Sequence, residues 1–168
     1  MQQNQDGRYA VVGGQVNRLY FVRHGDYNHS DGSLTVRGAA QAVAIGARLA
    51  ELDRKYVIFT SPYTRTAETA SIIASCVDSL DVIEKQSLRE HLSGETNEEL
   101  LDRAYAMNRF IGESRTHDVV IVSHRDVLRA MLEPLLNEDP KKIRIDKGVV
   151  YEFSNVDGRV RYEDRWGG

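Results

Sequence analysis

Several things are scarce in this chain, and each scarcity narrows what it can be. One cysteine, Cys76, stands among 168 residues, so no internal disulfide can form. That suits a reducing, cytoplasmic setting. There is no Cys-x-x-Cys pair and no His-x-x-x-His spacing among the five histidines, and no metal or other cofactor is expected. Neither Gly-x-Gly-x-x-Gly nor Gly-x-x-x-x-Gly-Lys is present, and Gly13-Gly14 precedes the first strand rather than following it. No apolar run approaches the length of a membrane span, and residues 1–15 lack the basic start and apolar centre of a secretory signal. A basic surplus is missing as well: 22 Lys and Arg against 25 Asp and Glu leave a net charge of −3. General binding to nucleic acid is therefore not expected, and any anion site has to be local.

What is there is an alternation of strand and helix patterns. The length fits one domain, with residues 1–15 read as a partly disordered lead-in and 16–168 as the domain itself. After a first strand at 19–22, Thr35 can cap a helix whose apolar stripe is Val36, Ala40, Val43, Ala47 and Ala50. Tyr56-Val57-Ile58-Phe59 reads as a buried strand. Thr60-Ser61-Pro62 then places a cap before a proline, which predicts a helix from Pro62 to about Cys76, the thiol buried. Leu80-Asp81-Val82-Ile83 is a weaker strand leading into a loop at Gly94. Thr96-Asn97-Glu98-Glu99 is a capping box that opens a helix with Leu100, Ala104, Met107 and Ile111 on one face. A strand at 119–122 precedes a helix carrying Val127, Leu128, Met131 and Leu132, which Pro134 should end or kink. Residues 148–153 and 160–162 flank Asp157-Gly158, a hairpin dipeptide. The expectation is a three-layer α/β/α sandwich with a mostly parallel central sheet and an antiparallel edge hairpin.

Chemistry concentrates where two strands end. Leu19-Tyr20-Phe21-Val22 runs into Arg23-His24-Gly25, and Val119-Val120-Ile121-Val122 runs into Ser123-His124. In open parallel sheets, side chains at carboxyl strand ends converge on a crevice, so the two histidines can face each other there. Arg65 emerges from the first turn of the second helix, where unpaired N–H groups also point outward. Position 69 is Thr, which leaves only Glu68 as a helix-surface ion-pair partner. Two guanidiniums, Arg23 and Arg65, can hold the nonbridging oxygens of one phosphoryl group.

Five ordered motifs carry a resemblance. They are Arg23-His24-Gly25, Leu34-Thr35-x-x-Gly38-x-x-Gln41-Ala42, Ser61-Pro62-x-x-Arg65-Thr66-x-x-Thr69-Ala70, Leu88-Arg89-Glu90 and Val122-Ser123-His124. Over roughly residues 18–153 the chain resembles the histidine phosphatase superfamily, also called phosphoglycerate mutase-like, in its small phosphatase branch. The resemblance implies a phosphoglycerate mutase-like fold and phosphoryl transfer through a phosphohistidine on His24, with the other ring nitrogen donating to a carbonyl. Arg23, Arg65 and His124, the last in its cationic form, would surround the equatorial oxygens. Glu90 is the first candidate for proton donor, with His91 and Asp26 as competitors, and Asn28 could donate to the phosphate from the first loop.

The chain departs from the family pattern at Arg125, where relatives often have glycine; Arg125 either contacts phosphate or substrate or narrows the pocket. Mutases of the family carry added segments that close over the substrate, and this chain has little such material. An open pocket favours water as acceptor. The expected activity is a metal-independent, histidine acid-type phosphatase acting on phosphomonoesters. Its partner is either a phosphorylated small molecule or a phosphoprotein carrying phosphohistidine, phosphoserine or phosphothreonine. Mutase-type transfer and a noncatalytic phosphate-binding module remain alternatives. Tyr27, His29, Lys141, Lys142 and Arg144 are rim candidates, and His117 is placed outside the chemistry.

Overall fold

The computed structural model describes residues 2–3, 9–10, 17–113, 117–156 and 159–168. Six long strands form one mixed sheet: β3 (Asn17–Arg23), β4 (Lys55–Thr60), β5 (Asp78–Glu84), β6 (Asp118–Ser123), β7 (Val149–Val156) and β8 (Arg159–Gly167). Two short strands, β1 (Gln2–Gln3) and β2 (Tyr9–Ala10), extend it beyond β8, giving the order β1-β2-β8-β7-β3-β6-β4-β5. β3, β6, β4 and β5 run parallel, whereas β7 pairs antiparallel with β3 and β8. This is the expected sandwich with its edge hairpin, the hairpin dipeptide Asp157-Gly158 lying outside the described residues. Most of the lead-in at 1–15 lies outside them too.

Four helices cover the two faces: α1 (Val36–Ala50), α2 (Thr64–Cys76), α3 (Asn97–Glu113) and α4 (Arg125–Leu136). Successive strand side chains point to opposite faces, and the core divides accordingly. Tyr20, Val22, Ile58, Val120 and Val122 meet Ile45 and Leu49 of α1 and Ala70 and Ile73 of α2. Leu19, Phe21, Phe59, Val119 and Ile121 meet Leu100, Ala104, Met107 and Ile111 of α3 and Leu128 and Met131 of α4. The α3 face is therefore the one its spacing predicts. Its capping box also forms, with Thr96 N donating to Glu99 Oε2 at 2.8 Å and Glu99 N to Thr96 Oγ1 at 3.2 Å.

Four local expectations need correction. Helix α1 buries Gly38, Ala42, Ile45 and Leu49 rather than the stripe beginning at Val36, which is 91% exposed. Both stripes have helical spacing; Ile45 and Leu49 offer more apolar area than alanines, so they take the core side. Helix α2 starts at Thr64, not Pro62, because Tyr63 is extended at φ −72° and ψ 145° and becomes the residue before the first turn. Cys76 is only half-buried, against Gly46. Helix α4 continues past Pro134 and ends where Asn137 turns left-handed at φ 53°.

The first loop is locked to α1 by two glycines. A Cβ on Gly25 would sit 2.5 Å from the Gly38 carbonyl oxygen, and one on Gly38 would overlap the Asp26 carbonyl oxygen. Thr35 Oγ1 caps α1 by accepting from Gly38 N at 3.0 Å, and Thr35 N donates to Asp26 O at 2.9 Å. Among the described residues no helix is long and apolar enough to cross a membrane.

Gly38→Ala should cost about 2–3 kcal/mol of stability, since the backbone it would strike cannot swing aside as a side chain can. Urea unfolding of the two proteins measures it; an unchanged midpoint contradicts the close approach.

Candidate active site

The site stands at the carboxyl ends of β3, β6 and β4. Parallel pairing sets Arg23 opposite Ser123, so the next residues, His24 and His124, become neighbours with ring centroids 5.3 Å apart. His24 N also donates to Ser123 O at 3.1 Å. Both imidazoles are buried, His24 at 2% and His124 at 1% exposure.

His24 Nδ1 lies 2.8 Å from the Gly25 carbonyl oxygen. A carbonyl only accepts, so Nδ1 carries the proton and Nε2 presents a lone pair. Arg65 Nε reaches that lone pair at 3.3 Å. Burial, together with Arg65 and Arg23 nearby and despite the opposing Gly25 bond, pushes the His24 pKa down to about 4. The imidazole is a neutral base at physiological pH.

His124 is held from the other side. Its Nε2 lies 2.8 Å from Ser61 Oγ, which also accepts from Tyr63 N at 3.3 Å, and its Nδ1 lies 3.4 Å from Arg65 Nη2. Burial first, then His24 and Arg65, push its pKa down to about 2. A cationic His124 is therefore disfavoured, which corrects the sequence reading of that residue. Because a hydroxyl can donate or accept, Ser61 lets His124 offer either a lone pair or an N–H at Nδ1.

Arg65 is the hub. It is 6% exposed, its guanidinium lies over the rings of Tyr27 and Tyr63 at 4.5 and 4.9 Å, and its Nη2 meets Glu90 Oε2 at 2.5 Å. Glu68, the helix-surface alternative, instead accepts from Leu34 N at 2.7 Å. Thr69 Oγ1 ties the hub to the loop that carries His24, donating to Arg65 O at 2.7 Å and accepting from Gly25 N at 3.1 Å. Arg23 is anchored by Nη1 on Ile145 O at 2.9 Å, while its Nε is buried with no hydrogen-bond partner.

A cavity of about 130 Å³ is lined by Arg23, His24, Tyr27, Glu90, His91, His124, Arg125 and Asp126. Glu90 is thus brought to the site, its other oxygen 3.9 Å from His124 Nδ1. His91 lines the cavity as well, with Nε2 2.9 Å from Glu95 O. Arg125 lines the cavity but gives its Nε to Asp126 Oδ1 at 3.0 Å.

Two candidates are not brought in. Asn28 is exposed and its amide nitrogen faces Ser33 Oγ at 3.3 Å, within its own turn. Asp26 lies beside Lys147 Nζ at 2.9 Å and Arg37 Nε at 3.2 Å, and Lys147 above all holds its carboxyl below the usual range. An acid so firmly ionised is a poor proton donor.

Sequence reasoning missed Arg103 and Glu95. Arg103, on α3, donates to Ser87 O and Arg89 O at 2.8 Å each and to Glu90 O at 3.3 Å, while gripping Glu95 at 2.5 and 2.9 Å. Arg103 also drives the Glu95 pKa down to about 2. Together they fix the loop that carries Glu90. The one available signal was a basic residue three positions after Leu100, beside the apolar stripe.

The model of the histidine phosphatase superfamily (branch 1) matches residues 19–93 and 90–163. Among curated proteins, none matches the chain by sequence at a significant level. Solved structures are similar in fold. A candidate alpha-ribazole-5'-P phosphatase from Escherichia coli has TM-score 0.75 and 19% identity over 88% of this chain and 95% of its own. A phosphoserine phosphatase from Entamoeba histolytica, complexed with 3-phosphoglyceric acid, gives 0.72 and 16% over 90% and 98%. The protein histidine phosphatase SixA, complexed with tungstate, gives 0.70 and 16% over 89% and 96%.

The lowered histidine values have a signed consequence for stability. Unfolded histidine titrates near 6.5 and folded His24 near 4, so between them the unfolded chain binds more protons. The contribution of His24 to stability is full above 6.5 and is lost as the pH falls toward 4. Melting temperatures across that window check this, and His24→Asn should flatten part of the slope.

Proposed function

The chain belongs to the histidine phosphatase superfamily, and from that membership and its pocket we propose a metal-independent phosphomonoesterase that carries the phosphoryl group on His24. The observation that carries this reading is the placement of Arg65. Its buried guanidinium touches His24 Nε2 and His124 Nδ1 at once, and its ion-pair partner among the described residues is the cavity-lining carboxylate of Glu90. A phosphoryl group entering beside His24 finds its charge already matched.

In the first step the Nε2 lone pair attacks phosphorus, forming the N–P bond as the ester P–O bond breaks. The Gly25 carbonyl stabilises the positive charge that develops on the ring, through Nδ1–H. Arg65 turns from Nε2 and Glu90 to the phosphoryl oxygens, and the unpaired Arg23 Nε donates to them as well. Ser61 donates to His124 Nε2, so that Nδ1–H of a neutral imidazole faces an oxygen. Once Arg65 has turned away, Glu90 takes up a proton from solvent or from the monoanionic ester and passes it to the departing alkoxide. In the second step Glu90 takes a proton from water, whose oxygen attacks phosphorus and frees His24 and inorganic phosphate. The side chain of Glu90 is 44% exposed, so water reaches it, and this favours hydrolysis over mutase transfer.

His24→Ala should abolish turnover of p-nitrophenyl phosphate while circular dichroism shows the fold intact; retained turnover sinks the phosphohistidine route. Glu90→Gln should slow alkyl phosphates by about 100-fold and p-nitrophenyl phosphate far less, since that leaving group needs little protonation. Equal slowing removes Glu90 from the acid role. Arg103→Lys should lower kcat on alkyl phosphates by about tenfold with KM nearly unchanged, because it loosens the loop under Glu90 and leaves the phosphoryl seat alone. The acidic limb of kcat/KM should fall near pH 4, where His24 takes a proton, rather than near 6.5.

A further inference from the structure

The catalytic cavity, at about 130 Å³, holds a phosphoryl group and little else. The rest of a substrate has to extend past its rim, and one groove adjoins it. A groove of about 490 Å³ runs between α3 and α4, and it shares two walls with the catalytic cavity, His91 and Asp126. Its floor is apolar where Leu100, Leu101 and Ala130 meet. One side is a single stripe of α4: Asp126, Arg129, Ala130 and Glu133. At 1.5 Å of rise per residue, Glu133 lies about 10 Å along the groove from Asp126.

The polar groups along this route are mostly committed. Asp126 takes Arg125 Nε at 3.0 Å and stands 3.7 Å from Arg129 Nη1. Arg129 Nε donates to Ile143 O at 2.9 Å. At the far end Asp139 Oδ1 accepts from Lys141 N at 2.9 Å, and the Lys141 side chain is exposed, where solvent screens it. Glu133 is different: its Oε2 is buried and has no hydrogen-bond partner. A shielded carboxylate oxygen without a donor is costly, and a cation in the groove that draws the Glu133 side chain round to it recovers the cost.

We propose that this groove is a leaving-group subsite for an elongated, largely apolar alcohol whose far end carries an ammonium group that pairs with Glu133. The proposal rests on the phosphatase reading of His24. It assigns the substrate class: a phosphate monoester with a chain long enough to span α4 from Asp126 to Glu133, rather than a compact sugar-acid phosphate. The carboxylates lining the groove, Asp126, Glu133 and Asp139, outnumber the cations Arg129 and Lys141, which fits a cationic tip and opposes an anionic one.

The test compares ethyl phosphate, octyl phosphate below its micellar concentration, and aminooctyl phosphate, with p-nitrophenyl phosphate alongside. Octyl phosphate should show a lower KM than ethyl phosphate, and aminooctyl phosphate a KM about tenfold lower again. Glu133→Gln should abolish the preference for the amino ester while keeping that for octyl over ethyl. Leu101→Asp, at a half-exposed position that tolerates a polar side chain, should erode the octyl preference. Turnover of p-nitrophenyl phosphate with the same KM for all three alkyl esters overturns the subsite and leaves the phosphatase reading standing. An amino preference that survives Glu133→Gln also overturns it, and no turnover of any ester overturns both.

Discussion

The register of β3 against β6 is the constraint on which the site depends. Leu19 pairs with Val119 and Arg23 with Ser123, so each strand delivers its histidine one residue later at the same height. A slip of one residue would turn Tyr20 and Val22 toward α3 and α4 and send Leu19 and Phe21 to the other helices. The same apolar alternation that fills both halves of the core therefore aligns the two imidazoles. Packing, rather than any contact between the rings, holds them at 5.3 Å.

Around that pair the chain builds an environment that keeps both rings uncharged and both arginines available. Gly25 O fixes one tautomer, and Ser61 leaves the other adjustable. In the absence of an anion, Arg65 is satisfied by Glu90, so a carboxylate occupies the seat that a phosphoryl oxygen would take. Under the proposed mechanism, arrival of substrate releases that carboxylate to take up and pass on a proton.

Much of this was legible in the sequence, for reasons that can be traced. His24, Arg23 and His124 stand directly after apolar strands, and strand ends are positions that local pattern fixes well. Arg65 follows a helix start, and its position was clear even though the first turn begins two residues later than Pro62 suggests. The α3 stripe was clear because its alternatives are polar. In α1 two helical stripes coexist, and only the sheet decides which one it covers. Asn28 and Asp26 were misplaced because loop side chains obey partners distant in sequence, such as Lys147. Arg103 and Glu95 were invisible for the same reason: their task is to hold backbone carbonyls of a loop, and no residue pattern announces that.

One consequence concerns how the two halves of the site are secured. His24 and His124 sit on strand ends inside the core, whereas Glu90 rides on a segment outside the sheet, tied by Arg103 to three carbonyls and a carboxylate and anchored by the buried Leu88, whose carbonyl accepts from Ser123 Oγ. A loop held by side-chain ties opens at lower free energy than strands in the core do. Under the proposed mechanism, warming then opens a regime in which His24 still takes the phosphoryl group while Glu90 no longer relays the proton, and there the preference among esters tracks leaving-group acidity alone.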